Sequence, residues 1–270
     1  MPTANGEPDA SEGEAARACY VRAISALTDS GVPFLVGGTH ALSHYTGIQR
    51  DSKDFDIFVR RGDFDNVMDV LARAGFRTEL TYPHWLGKAS GADGFVDVIF
   101  SSGNGVSAVD DLWFEYAPAG EAFGMPVRLS PAEEIIWSKA FVMERERFDG
   151  ADVMHLLLKR AEDLDWARLV RRFGRHWRVL FAHLCLFGFI YPSQRQRIPA
   201  WIMAGLMGRL DHEMRVDSPA ERVVQGTLMS REQYLVDIEE WGFKDVRLTA
   251  ASAMTDDDIA HWTQAINERE

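Results

Sequence analysis

The stretch Phe34-Leu35-Val36-Gly37-Gly38-Thr39-His40-Ala41-Leu42, with Asp54-Phe55-Asp56-Ile57-Phe58-Val59 a short way on, decides how this chain is read. Three apolar residues running into two glycines predict a short buried strand that passes directly into a helix over 39–45. A glycine turn of that kind exposes backbone N–H groups at a helix N-terminus. Phosphate oxygens bind there, and glycine lets them approach closely. Residues 55–59 predict a second strand. Asp54 and Asp56 are two apart, so a strand turns both to one face while Phe55 and Ile57 point into a core. Parallel carboxylates repel each other, and a divalent cation relieves the repulsion. Mg2+ is typically held by one or two carboxylates together with substrate phosphates and water.

The pattern recurs at Val96-Asp97-Val98, an acid between apolar neighbours on a predicted strand over 94–100. An unpaired acid in a buried strand is costly. Should this strand lie beside the one carrying Asp54 and Asp56, three carboxylates meet at one point, the layout of a two-metal phosphoryl-transfer site.

Working outward, periodicity predicts helices over 15–27 and 63–74, weaker strands over 76–82 and 85–90, and a last strand over 125–129. Ser130-Pro131-Ala132-Glu133 reads as a helix start, with an N-cap Ser, Pro at the first helical position and Glu at the third. Beyond it only helices are expected, over 131–144, 149–161, 165–173, 175–190, 198–214, 230–240 and 255–268. Ser230 with Gln233, and Thr255 with Asp258, are capping-box-like starts of the last two. The expected organisation is a polar tail over 1–12, an α+β domain over 13–129 built on a small mixed β-sheet flanked by helices, and an α-helical C-terminal domain over 130–270.

Composition fits this frame. A chain of 270 residues is one large domain or two small ones at roughly 150 residues each. With 46 % hydrophobic and 26 % charged residues it is neither collagenous nor disordered. The net charge of −12 disfavours indiscriminate binding to nucleic acid or acidic lipid. Two distant cysteines, Cys19 and Cys185, read as cytosolic thiols rather than a secreted disulfide framework, and the N-terminus has no signal-peptide pattern. The longest apolar run, residues 179–191, is thirteen residues, short of the about 20 that a membrane span needs. It is expected to be a buried helix, and the protein to be cytoplasmic with no membrane partner.

One stretch runs against the overall charge. Residues 159–209 hold ten Lys and Arg against three acids, a local +7. These are solvated helix faces or a patch for triphosphate or RNA backbone, where Trp166, Phe173, Trp177 and Tyr191 could stack bases. His40 and His44 are four apart on a short helix, but no third ligand completes a zinc motif.

Taken together, Gly37-Gly38-Thr39, then Arg50-Asp51-Ser52-Lys53-Asp54-Phe55-Asp56, then Asp97, resembles the DNA-polymerase-β-type nucleotidyltransferase superfamily. The chain looks most like its minimal bacterial members, the abortive-infection nucleotidyltransferase toxins and, more distantly, the aminoglycoside nucleotidyltransferases. Lys139 followed by Arg145, Asp149 and Asp152 loosely matches a helical motif of the same group, with Phe148 where a basic residue is usual; Asp149 and Asp152 could instead simply cap the helix that begins there. The resemblance implies that Asp54 and Asp56 hold Mg2+ (or Mn2+) against a nucleoside triphosphate such as ATP. Asp97 would ligate the second metal and act as base. Gly37, Gly38 and Thr39 would cradle the β and γ phosphates, with Arg50, Ser52 and Lys139 completing the nucleotide site. A nucleoside monophosphate would pass to a hydroxyl of an acceptor: a tRNA, a protein or a small molecule. The competing readings are a non-catalytic nucleotide binder or protein-interaction module on the same fold, and a sugar-nucleotide transferase using Asp54 and Asp56 for its divalent ion.

Overall fold

Apolar and polar residues alternate over 54–58 and 95–99, and the structure turns that alternation into a sheet with one buried face. The structure is a computed structural model and describes residues 10–50, 52, 54–249 and 254–264. Its elements run α1 (Ala10–Ser30), β1 (Leu35–Val36), α2 (Gly38–Thr46), β2 (Asp54–Phe58), α3 (Phe64–Arg73), β3 (Arg77–Tyr82), β4 (Leu86–Ser90), β5 (Phe95–Ile99), α4 (Asp111–Glu115), β6 (Ala119–Ala122) and β7 (Met125–Arg128). Helices α5 (Ala132–Lys139), α6 (Gly150–Arg160), α7 (Trp166–Phe173), α8 (Trp177–Ile190) and α9 (Ala200–Glu213) follow. Then come β8 (Val223–Val224), α10 (Leu235–Glu239), β9 (Lys244–Asp245) and α11 (Asp256–Gln264). This is a mixed α+β fold with a small mixed sheet and many helices. Two compact units divide it. One holds the chain up to Ala41, Gln49–Phe100 and Val109–Ser130; the other holds Leu42–Ile48, Ser101–Ala108 and the chain from Pro131 onward.

In the first unit the five-stranded sheet has the order β1-β2-β5-β4-β3. Only the central β2–β5 pair is parallel; the pairs β1–β2, β4–β5 and β3–β4 are antiparallel. Phe55 and Ile57 of β2 and Val96 and Val98 of β5 are fully buried on one face. Helix α1 covers that side through Tyr20, Ala23, Ile24 and Leu27, and α3 through Val67 and Leu71, each set at helical spacing. A second cluster gathers Leu35, Val109 and Trp113, with Phe58 stacked on the Trp113 ring at 5.0 Å.

The strand expected over 125–129 does form, but as half of a separate ribbon, β6–β7. It turns at Phe123 and Gly124, both with positive φ. Helix α4 and strand β6 were not expected, because five and four residues are too few to show a period. The expected tail falls mostly outside the described residues, and α1 already begins at Ala10.

In the second unit the helix expected over 131–144 ends at Lys139. Its cap is Pro131 rather than Ser130, whose N–H pairs with the Val36 carbonyl at 2.9 Å instead. Ser230 accepts the Gln233 N–H at 3.2 Å and closes a turn, and the helix there starts only at Leu235. Thr255 and Asp258 do form the reciprocal box, with bonds of 3.0 and 3.2 Å. The region expected to be wholly helical also contains a short parallel pairing, β8 with β9. The apolar run at 179–191 is buried on one side only: Leu180, His183, Leu184 and Phe187 face inward, while Phe189 is 81 % exposed. No helix among the described residues is long and apolar enough to cross a membrane.

Helices α5 and α7 meet through charge. Glu133 and Glu134 are buried and both bind Arg168, at 2.6 and 2.5 Å, while Arg172 reaches Glu134 at 3.0 Å. Burial pushes the Glu134 carboxyl up, against the pull of Arg168 and Arg172. Arg168→Leu leaves two buried carboxylates with one cation between them. It should cost about 3–5 kcal/mol of stability, as breaking a buried pair typically does. Urea denaturation reads this directly; a loss below about 1 kcal/mol would mean that the cluster reorganises freely around Arg172.

Candidate active site

The parallel register of β2 and β5 sets Asp56 directly opposite Asp97, and Asp54 opposite Phe95. Since residues two apart share a face, Asp54, Asp56 and Asp97 all project from the same side of the sheet, away from Phe55, Ile57, Val96 and Val98. One carboxylate oxygen from each of the three lies within 4.8 Å of the others. All three residues are half-buried. The antiparallel register of β4 adds Lys88 opposite Asp97, its ammonium 3.6 Å from the carboxylate and 4.5 Å from the Phe95 ring centroid.

The glycines before α2 are explained by what stands beside them. A Cβ on Gly37 would lie 2.1 Å from the Phe58 ring, and one on Gly38 would lie 1.8 Å from Asp56 Oδ2. Gly38 also has φ +52°, a conformation that side chains disfavour. The Gly37 N–H donates to the Asp56 carbonyl at 3.0 Å, so it ties the turn to β2 and does not face a ligand. The first helical bond of α2 runs from Ala41 N–H to the Gly37 carbonyl. The N–H groups of Gly38, Thr39 and His40 therefore have no intrahelical acceptor. The open N–H groups of this turn thus begin at Gly38, one residue further along the chain than the sequence alone suggests.

Ser52 donates its hydroxyl to Asp54 Oδ1 and so orients the first acid. Arg50 is exposed on the same connection, and Asp51 and Lys53 lie outside the described residues. The His40 ring packs edge-on against Phe55 and Phe123, with centroids at 5.5 and 4.5 Å. Burial pushes its pKa down, partly offset by the Asp54 carboxylate. It is a packed aromatic beside the acids, and the acid triad is the metal-ligand cluster found among the described residues.

Lys139 belongs to the second unit. Its ammonium binds Asp149 at 2.7 Å and Asp152 at 2.9 Å, and Arg147 also binds Asp149 at 2.8 Å. Asp149 stands at the helix cap position but makes no side-chain cap bond, so the capping role open to it in sequence is not the one it takes. The acids of the helical motif instead anchor its lysine. Trp166 and Trp177, candidates for base stacking, are buried, with indole N–H groups bonded to the Ala161 carbonyl and to Glu213.

Sequence reading missed Lys88 and the His40 N–H. A lone lysine on a weakly predicted strand carries no signal until β4 is registered against β5. The His40 N–H is identified only by the position of the first helical bond.

No protein-family model and no curated protein matches the chain. Solved structures similar to it include nucleotidyltransferases acting on aminoglycosides and lincosamides. ANT(2")-Ia in complex with adenylyl-2"-tobramycin is 16 % identical, with a TM-score of 0.38 over 72 % of this chain and 98 % of that one. The lincosamide antibiotic adenylyltransferase LnuA, lincomycin-bound, is 14 % identical, with a TM-score of 0.37 over 52 % and 94 %. An antigenic nucleotidyltransferase-like protein from Paracoccidioides brasiliensis is 15 % identical, with a TM-score of 0.39 over 66 % and 90 %. The likeness is structural; the functional reading rests on the geometry of the acids and the glycine turn.

Two outcomes test this geometry. Gly38→Ala should destabilise the fold by more than Gly47→Ala, which has the same left-handed backbone but open space around it. The second variant should lose only the about 1–2 kcal/mol of a left-handed side chain. Equal losses would show that Asp56 moves aside without cost. For Asp149, burial raises the carboxyl, but hydrogen bonds from Arg147 and Lys139 outweigh it and bring the pKa down to about 2. A folded-state pKa below the unfolded value contributes stability above about pH 4, lost as the pH falls toward 2. Asp149→Asn should remove on the order of 2 kcal/mol at neutral pH and flatten the acid limb of the stability profile. An unchanged acid limb would remove Asp149 from the network's energetics.

Proposed function

We propose that this protein is a Mg2+- or Mn2+-dependent nucleotidyltransferase. It moves a nucleoside monophosphate from a nucleoside triphosphate to a hydroxyl of an acceptor and releases pyrophosphate. One observation carries the reading: three carboxylates from two parallel, registered strands converge beside a glycine turn that opens a helix. The donor set is oxygen only, which suits a hard divalent cation and not a thiolate- or imidazole-seeking metal. The Asp56 carboxylate occupies the space that a Cβ on Gly38 would need, so the acid sits directly against the helix start.

Asp54 and Asp56 would hold the cations, with Asp97 as the third ligand. Bound there, they supply neutralisation of the triphosphate charge and stabilise the attacking and leaving oxygens. The chain's own residues do the positioning. Ser52 holds the Asp54 carboxylate in one orientation. The N–H groups of Gly38, Thr39 and His40 donate to phosphate oxygens at the positive end of α2. Arg50 adds charge toward the leaving pyrophosphate. Asp97 takes the proton from the acceptor hydroxyl as that oxygen bonds to the α-phosphorus and the α–β bridging bond breaks. An in-line displacement asks little more of a protein than this placement and charge. Lys139, expected in the nucleotide site, has its ammonium bound by Asp149 and Asp152. The acceptor is a tRNA, a protein or a small molecule.

A second reading, a non-catalytic nucleotide binder, draws on Lys88. Its ammonium already neutralises part of the charge on Asp97. Thermal unfolding with each of the four ribonucleoside triphosphates, with and without Mg2+, separates the two. One nucleotide at ~100 times its dissociation constant should stabilise wild type by about 2.7 kcal/mol only when Mg2+ is present. Asp54→Asn and Asp56→Asn should abolish both that shift and nucleotidyl transfer. Each should leave the ligand-free protein no less stable, because it removes a repelling charge. A shift independent of Mg2+ supports the non-catalytic binder, and no shift with any nucleotide supports a protein-interaction module.

A further inference from the structure

Lys88 stands in line with two of the three acids, and transfer as derived above does not use it. Asp97 lies directly opposite Asp56 on β2 and directly opposite Lys88 on β4. Residues paired in this way project from one face, so Asp56, Asp97 and Lys88 form a row across three strands: acid, acid, base. Like charges directly opposite each other destabilise a sheet, and opposite charges stabilise it. Asp97 therefore has one cross-strand neighbour that repels it and one that attracts it.

The attraction is of a releasable kind. The Lys88 ammonium is 3.6 Å from Asp97 Oδ1. An N–H···O hydrogen bond spans about 2.7–3.2 Å. Charge acts over the longer distance, but no directed bond ties the ammonium to that oxygen. Its other contact is the Phe95 ring, 4.5 Å from the centroid. Phe95 is two residues before Asp97 on β5 and so shares its face. The lysine thus lies over the ring and reaches toward the acid. Its side chain is 33 % exposed, against 13 % for Asp97. A flexible four-carbon stem with its charged end near solvent can turn away without opening a cavity. The carboxylate is carried on a central strand and stays where it is.

We infer that Lys88 is the resident counter-ion of the triad: it answers Asp97 when no divalent cation is bound, opposes a cation that would share that carboxylate, and gives way when a triphosphate offers its ammonium phosphate oxygens. Lys88 thereby makes cation binding at Asp97 depend on the nucleotide. The inference rests on the metal-dependent reading above and assigns that site a positioning residue. An ammonium and a divalent cation beside one carboxylate repel each other, and phosphate oxygens relieve the repulsion by drawing the ammonium aside. By linkage, the affinity that Lys88 takes from the cation alone is recovered when the nucleotide binds.

Mn2+ binding to the full chain, read by electron paramagnetic resonance of the free ion, tests this without turnover. Lys88→Met removes the charge and keeps a stem over Phe95, whereas Lys88→Arg keeps both. Without nucleotide, Lys88→Met should bind Mn2+ about tenfold more tightly than wild type, within the usual range of coupling between two sites. Lys88→Arg should match wild type. The α,β-methylene analogues of the four ribonucleoside triphosphates carry the charge and cannot transfer. The best of them should raise Mn2+ affinity more in wild type than in Lys88→Met. In EDTA, Lys88→Met should unfold at a lower temperature than wild type, and the difference should vanish in an Asp97→Asn background. Four results would each overturn the proposal and leave the metal site standing: Mn2+ binding by Lys88→Met no tighter than by wild type, Lys88→Arg behaving as Lys88→Met does, an equal gain with nucleotide in both proteins, or no loss in EDTA that depends on Asp97. Mn2+ binding that Asp56→Asn leaves unchanged, or that is absent from wild type and Lys88→Met alike, would remove the metal site itself and the proposal with it.

Discussion

The pairing of β2 with β5 is the constraint on which the site depends. Their parallel register sets Asp56 against Asp97, and the period of two along each strand brings Asp54 to the same face. A slip of one residue would turn the acids into the core and Phe55, Ile57, Val96 and Val98 into solvent. Burial of those four residues under α1 and α3 therefore holds the carboxylates together against their own repulsion. The same strands fix the glycine turn, because the Gly37 N–H bonds to the Asp56 carbonyl and Gly38 leaves room for the Asp56 side chain. Hydrophobic packing on one face of the sheet thus becomes electrostatic concentration on the other.

The second unit solves a different problem. Its central helices carry charge into the interior, and each buried charge is met. Arg168 and Arg172 answer Glu133 and Glu134, and Lys139 and Arg147 answer Asp149. Arg247 answers Asp245 at 2.7 Å. Such clusters add little net stability over apolar packing but are intolerant of losing one member. This is why several arginines of a stretch that looks strongly basic in sequence are committed to ion pairs with acids, some of them outside the stretch.

The long elements were legible because their signals are local. Amphipathic spacing marked α1, α3, α6 and α9 to within a few residues, and alternation marked β2 and β5. What escaped was short or non-local. Helix α4 and strand β6 span too few repeats to stand out, and β8 finds β9 only across some twenty intervening residues. Hydropathy also over-read α8: the run is apolar throughout, but a helix has two sides, and Phe189 and Ile190 lie on the exposed one. Ser130 is not the N-cap because the helix begins only at Ala132, which leaves Ser130 one residue outside it with its N–H bonded to the end of β1.

From sequence alone came the residue types of the site and their order: two glycines at a strand end, paired acids two apart, and a third acid flanked by valines. These are properties of a backbone period and of side-chain chemistry, both carried in a few neighbouring residues. Only the tertiary structure decided which strand neighbours which, and hence that the three acids converge, that Lys88 joins them, and that Lys139 is held by Asp149 and Asp152. It also decided which N–H groups of the glycine turn lack an intrahelical acceptor, those of Gly38, Thr39 and His40, while the Gly37 N–H bonds to the Asp56 carbonyl. Register and hydrogen-bond accounting depend on residues tens of positions apart, and no local pattern contains them.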